Sequence, residues 1–308
     1  MSRAWVINHP AHAKLLAPVI EILGQPDDLI VAVKRKEVQN MLMDQMNPIT
    51  LRRVVWVPRL IGFFRWMKLV KRIILAKKNL KNMQSVVSIG APIEILFGPQ
   101  SARRIYITDT ESNLTAHRLA RKKATDIVIP RHFKDELAPI LFDTRATIHR
   151  LNGLHGHIHL KPGTFRKKPN VPFKVLVRKI HGNGGHDRKE WVPLSEKIFK
   201  EFDIISVDED SEITSPWELD KLITASDGVI TQSVTLASEA CLLGIPTLLI
   251  SNAQRGFLDV LEREDYPLMR VRQSISEVPE NFIEMMNDVE KTHSFQWPNT
   301  REQLLKIL

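Results

Sequence analysis

The sequence predicts an α/β protein of two domains, each a parallel sheet with helices packed on its faces. Three observations predict it. Short apolar or β-branched runs alternate with longer segments of helical period in both halves of the chain, which is the sequence form of repeated βα units. A stretch of Pro, Gly and charge without hydrophobic period, Lys161-Pro-Gly-Thr-Phe-Arg-Lys-Lys-Pro-Asn-Val-Pro172, separates the two alternations and reads as a linker. A length of 308 residues, 43% of them hydrophobic, suits two medium cores. The expected division is residues 1–165 and 166–308.

In the first half, strands are expected at 4–8, 29–33, 54–57, 86–89, 105–108 and 127–129, where β-branched and apolar residues cluster. Helical periodicity places helices at 14–23, 37–46, 60–80 and 114–123. In the second half, strands are expected at 174–177, 204–207, 228–231 and 247–250, and helices near 191–202, 216–225, 235–243, 281–289 and 300–308. There is no short-period repeat or low-complexity tract.

Composition narrows the classes. The single cysteine, Cys241, excludes an internal disulfide framework, and the N-terminus lacks the pattern of a signal peptide, so a cytoplasmic protein is expected. No apolar run reaches the length of a spanning helix, so membrane contact would be peripheral, on the inner face. The net charge of +9 is concentrated: from residue 45 to residue 93 there is no acidic side chain, while Arg52, Arg53, Arg59, Arg65, Lys68, Lys71, Arg72, Lys77, Lys78 and Lys81 are basic. Large apolar residues are interleaved with these cations, so the segment reads either as a sheet-packing helix or as one resting on anionic lipid.

The segment Gly228-Val-Ile-Thr-Gln-Ser-Val-Thr-Leu-Ala-Ser-Glu-Ala-Cys-Leu-Leu-Gly-Ile-Pro-Thr-Leu-Leu-Ile250 carries the densest chemistry. An apolar strand enters a hydroxyl-rich turn, a helix opens there, and Gly244 ends it before Pro246. Gln232, Ser233, Val234 and Thr235 then lie at a helix N-terminus, where unpaired N–H groups and partial positive charge suit a phosphate. Glu239, four residues beyond Thr235, shares its helix face and could hold a ribose diol. The alternative is a plain helix cap with Glu239 as a solvated surface carboxylate. A second glycine-rich stretch, His181-Gly-Asn-Gly-Gly-His186, follows the strand ending near Arg178 and is either a ligand-facing loop or a flexible turn; Gly184 would let backbone approach a phosphate.

In the first half, Asn8, His9 and His12 leave the first strand, and Asp109 and Glu111 leave the fifth. Carboxyl ends of parallel strands are where ligands of such sheets bind. Either histidine could take a proton from an acceptor hydroxyl, and either carboxylate could orient one. Loop hydrogen bonding is the alternative for all four, with Asn113 or Thr115 as a helix cap. His9 and His12 lack a third ligand nearby, so no metal is expected.

The segment around Ser233 resembles the nucleotide-binding element of GT-B-fold enzymes, particularly the UDP-N-acetylglucosamine 2-epimerase superfamily. There a Ser-Gly-Gly turn holds the diphosphate and a Glu before Ala holds the ribose. Ser233 and Glu239 match, whereas Val234 and Thr235 replace the two glycines. Ile7-Asn-His-Pro-Ala-His-Ala13, Thr108-Asp-Thr-Glu-Ser-Asn-Leu-Thr115 with Ala124-Thr-Asp-Ile-Val-Ile-Pro130, and Leu151-Asn-Gly-Leu-His-Gly-His-Ile-His-Leu160 are similar to the family called domain of unknown function 354, described as predicted glycosyltransferases. The resemblance implies two Rossmann-like domains whose sheets face across a cleft, a GT-B-like architecture. It implies a nucleotide-sugar donor held by the second domain, an unknown acceptor, lipid-linked or of the cell envelope, at the first, and no cofactor beyond the donor. It also implies that Arg178, His181 or His186 stands where the epimerases keep a catalytic histidine. In Ser88-Ile-Gly-Ala-Pro92, Ala91 stands where those epimerases carry a functional aspartate, which favours a glycosyltransferase over an epimerase. Two further readings are a nucleic-acid-binding protein using residues 52–81, for which no recognised module is present, and a non-catalytic member of the superfamily.

Overall fold

A computed structural model of the chain describes residues 1–49, 53–162, 169–180, 190–207, 216–288 and 297–308. It divides into two compact units, Met1–His159 with Pro298–Leu308, and Leu160–Trp297.

Among the described residues of the first unit, a seven-stranded sheet has the order β3-β2-β1-β4-β5-β6-β7, and every neighbouring pair is parallel. The strands are β1 (Arg3–Ile7), β2 (Leu29–Val33), β3 (Val54–Val57), β4 (Ser85–Ile89), β5 (Arg103–Ile107), β6 (Asp126–Pro130) and β7 (Thr147–Leu151). β2 and β4 are buried along their whole length because helices cover both faces, which is why they read as unbroken apolar runs. The connecting helices are α1 (Pro10–Leu23), α2 (Lys36–Met43), α3 (Arg65–Leu80), α4 (Pro92–Phe97) and α5 (Leu114–Ala120), and α6 (Gly156–His159) follows β7. α3 is fastened by a buried ion pair: the Arg72 guanidinium donates to both carboxylate oxygens of Glu94 at 2.7 Å, and also to the Asn8 side chain at 3.0 Å.

In the second unit, a five-stranded parallel sheet among the described residues has the order β12-β11-β10-β8-β9. Its strands are β8 (Lys174–Arg178), β9 (Asp203–Ser206), β10 (Gly228–Thr231), β11 (Thr247–Ile250) and β12 (Leu268–Val271), with helices α7 (Leu219–Thr224), α8 (Val234–Leu242), α9 (Gly256–Arg263) and α10 (Glu280–Asn287). Phe282 and Met286 of α10 lie in a core with Val175, Val177, Ile230 and Leu248. Gly228 permits this packing, since a Cβ there would stand 2.6 Å from the Met286 sulfur. Gly244 ends the α8 turn at φ +77°, a backbone conformation that L side chains rarely adopt.

Three expectations change. The last helix, α11 (Thr300–Ile307), does not belong with residues 166–297 but packs on α1, α6 and β7 of the first unit, burying Leu304 there. Among the described residues of the helix expected at 191–202 there is only a 3-10 turn at Glu196–Phe199, because Pro193 interrupts the segment and Trp191 bridges to Ser251 instead. α1 begins at Pro10 rather than near 14, so His9 is its N-cap and His12 lies in its first turn.

Candidate functional site

The expected site residues that are described lie at or near the carboxyl ends of both sheets. In the first unit, β1 delivers His9 and His12, whose ring centroids are 6.0 Å apart. His9 Nδ1 accepts from the Ala11 N–H at 3.3 Å, so this ring is a helix cap. His12 Nδ1 accepts from the Asn8 N–H at 3.3 Å. Burial pulls the His12 pKa down to about 4, with the Asp109 carboxylate opposing and His155 reinforcing the shift. His12 is therefore neutral at pH 7 with its proton on Nε2, which makes it a hydrogen-bond donor rather than a base.

Asp109, at the end of β5, pairs with a residue that had been given no role. His155 Nδ1 stands 2.9 Å from Asp109 Oδ2, and the Thr110 hydroxyl donates to Asp109 Oδ1 at 3.0 Å. The carboxylate fixes the Nδ1–H tautomer, leaving Nε2 with a lone pair. Nε2 is buried and has no hydrogen-bond partner among the described residues, although the His155 side chain retains 13% exposure. The loop carrying Asp109 is braced by buried His117, whose Nε2 lies 2.9 Å from the Thr110 carbonyl and whose Nδ1 lies 3.2 Å from the Tyr106 hydroxyl. The loop carrying His155 is braced by His157, whose Nδ1 accepts from the Leu154 N–H at 2.9 Å, and by α11. Gln303 accepts from the Asn152 N–H at 2.8 Å, and Arg301 donates to the Ile158 carbonyl at 2.5 Å. The structure thus brings His9, His12 and Asp109 together with His155. Glu111 has a structural bond: it is buried, and its Oε1 accepts from the Lys134 N–H at 3.2 Å, tying the loop after β5 to the loop after β6. Asn113 occupies the N-cap of α5 without a side-chain cap bond.

In the second unit, β8 and β10 are neighbours, with β9 beyond one and β11 beyond the other, so their carboxyl ends form the point where strand order reverses. Ser233 is the N-cap of α8, its hydroxyl accepting from the Leu236 N–H at 3.4 Å. Gln232 has both ends of its amide engaged: Oε1 accepts from the Ile180 N–H at 2.8 Å, and Nε2 donates to the Val192 carbonyl at 2.5 Å. It is consequently a tie between loops. Val234 and Thr235 open the helix, where first-turn N–H groups lack intrahelical acceptors. Glu239 is 4% exposed, which excludes the solvated surface carboxylate. Arg178 closes β8, its carbonyl accepting from the Thr231 hydroxyl at 3.1 Å and the Gln232 N–H at 3.2 Å. His181 and Gly184, with His186, lie outside the described residues. Among the described residues, no group of three or more His, Cys, Asp or Glu is arranged to hold a metal ion.

Among known proteins, no family model matches the chain, and no curated protein matches it. Solved structures do. The chain is similar to UDP-GlcNAc 2-epimerase from Neisseria meningitidis bound to UDP-GlcNAc, at 12% identity and a TM-score of 0.66 over 100% of this chain and 98% of that one. The glycotransferase of kitacinnamycin matches at 11% identity, TM-score 0.51, over 99% and 93%. MurG from Acinetobacter baumannii matches at 10% identity, TM-score 0.52, over 100% and 99%. Likenesses at this identity define a class by its fold: a GT-B-like α/β protein with two parallel-sheet units.

Proposed function

We propose that the chain is a glycosyltransferase whose second unit binds a nucleoside diphosphate sugar and whose first unit activates an acceptor hydroxyl. The observation that carries this reading is the Asp109–His155 pair, a ring oriented through Nδ1 by a carboxylate so that Nε2 is left for the acceptor. Nε2 takes the proton of the acceptor hydroxyl. The acceptor oxygen bonds to the sugar C1, the C1–O bond to the diphosphate breaks, and the nucleoside diphosphate leaves. His12, a neutral donor beside Asp109, orients the acceptor with His9. The leaving diphosphate is stabilised by the N-terminus of α8, through Ser233, Val234 and Thr235, and by Arg178, while Glu239 holds the ribose. Glu111 and Gln232 support the loops rather than touch substrate. The epimerase solved with UDP-GlcNAc makes a uridine diphosphate sugar the first donor to try. The acceptor is assigned to the envelope-glycan or lipid-linked class on the sequence resemblance.

The epimerase reading is weaker because the family aspartate position holds Ala91, which is 2% exposed and offers no proton. The test is a thermal-shift screen across nucleotides and nucleotide sugars on the native chain and on Glu239→Gln. A ligand at a hundred times its Kd stabilises the native chain by about 2.7 kcal/mol, and the variant loses most of that shift. No shift with any nucleotide sugar overturns the donor assignment. Conversion of UDP-GlcNAc to a mannosamine epimer without acceptor transfers the chain to the epimerases.

A further inference from the structure

The outward face of α3 carries a feature independent of the donor and acceptor sites. Arg72, Ala76 and Leu80 are buried on the inner side. Helical spacing puts Met67, Val70 and Ile74 opposite them, and these three are 68%, 56% and 58% exposed. Phe63, 93% exposed, and Trp66, 66% exposed, extend the strip at the start of the helix. A contiguous run of large apolar side chains facing water marks an interaction surface.

Its chemistry selects the partner. The same spacing places Lys71 and Lys78 along one flank of the strip and Lys77 along the other, all exposed. No acidic residue occurs from residue 45 to residue 93. Two copies meeting through α3 would set like charges against each other with no carboxylate in this segment to offset them. A nucleic acid would leave the apolar strip without a partner. An anionic bilayer satisfies both parts, taking the apolar side chains at the headgroup boundary and pairing the lysines with lipid phosphates. We infer that the α3 face docks the protein on an anionic lipid surface.

The test is flotation of the full chain with vesicles of phosphatidylcholine alone or mixed with phosphatidylglycerol. The native chain binds the mixed vesicles at least about tenfold better than neutral ones, and added salt weakens the binding. The pairs Met67→Ser with Val70→Ser, and Lys71→Gln with Lys78→Gln, each lower binding by about tenfold. Their thermal midpoints stay unchanged, because all four side chains are exposed. Failure of the native chain to bind the mixed vesicles overturns the inference, as does binding that neither pair weakens. So does a dimer in sedimentation that the apolar pair dissolves, which would give the face to a second copy.

Discussion

The carboxyl edges of the two sheets differ in one pair of side chains. In the first unit His9, His12 and Glu111 accept from backbone N–H groups, but Asp109 and His155 engage each other, the carboxylate accepting from the ring's Nδ1–H and leaving Nε2 over. In the second unit the polar side chains are consumed by the chain itself: Gln232 ties two loops, Ser233 caps α8 and the Thr231 hydroxyl holds the Arg178 carbonyl. Among the described residues, what remains there for an anion is the opening turn of α8. A turn rich in hydroxyls and amides is therefore not a tally of ligand contacts; each must first be charged against the backbone groups it satisfies.

Four experiments would break or sharpen this contrast. The largest effect is expected at His155: His155→Asn should lower turnover by about 10²–10⁴, while the donor-induced thermal shift stays intact. Asp109→Asn should fall in the same range, because it removes the carboxylate that holds the ring's Nδ1–H. A fall of less than about tenfold in His155→Asn would show the pair to be scaffolding. Next is Gln232→Ala, which orphans the Ile180 N–H and the Val192 carbonyl and should cost about 1–3 kcal/mol in denaturant unfolding. If that variant loses donor binding but no stability, Gln232 belongs to the ligand and the contrast fails.

The third effect depends on pH. His157 in the first unit is held down to about 4 from 6.5 by burial. The unfolded chain takes up this proton first, so stability should fall as pH drops from 6.5 towards about 4 and stay flat above. The slope approaches about 1.4 kcal/mol per pH unit for the one group, with His12 adding in the same direction. His157→Gln should flatten the curve; an unchanged curve would place the acid sensitivity elsewhere. The smallest effect is Ser233→Ala, which removes a cap worth about 1 kcal/mol, with a correspondingly small change in melting temperature.

The central strands were legible because burial on both faces makes them continuous apolar runs, as in Leu29–Val33. The edge strands Thr147–Leu151 and Leu268–Val271 were not, since their His and Arg residues and partial exposure break the pattern. Missing β7 hid His155. Its His-x-His-x-His run was visible, but without the strand before it nothing placed the run at the carboxyl edge of the sheet. His9, His12 and Asp109 were legible because they directly follow recognised strands. The structural uses of Gln232 and Glu111 were not, because their partners, Val192 and Lys134, lie 40 and 23 residues away.

The position of α11 has a practical consequence for dissecting the molecule. The segment ending at His159 is not a self-sufficient piece, because residues 152–158 lean on side chains more than a hundred positions later. An isolated first lobe would have to be made by splicing 298–308 onto 159 through a short connector. By the same token, a substitution at Gln303, remote in the gene from every catalytic candidate, removes the acceptor of the Asn152 N–H three residues before His155.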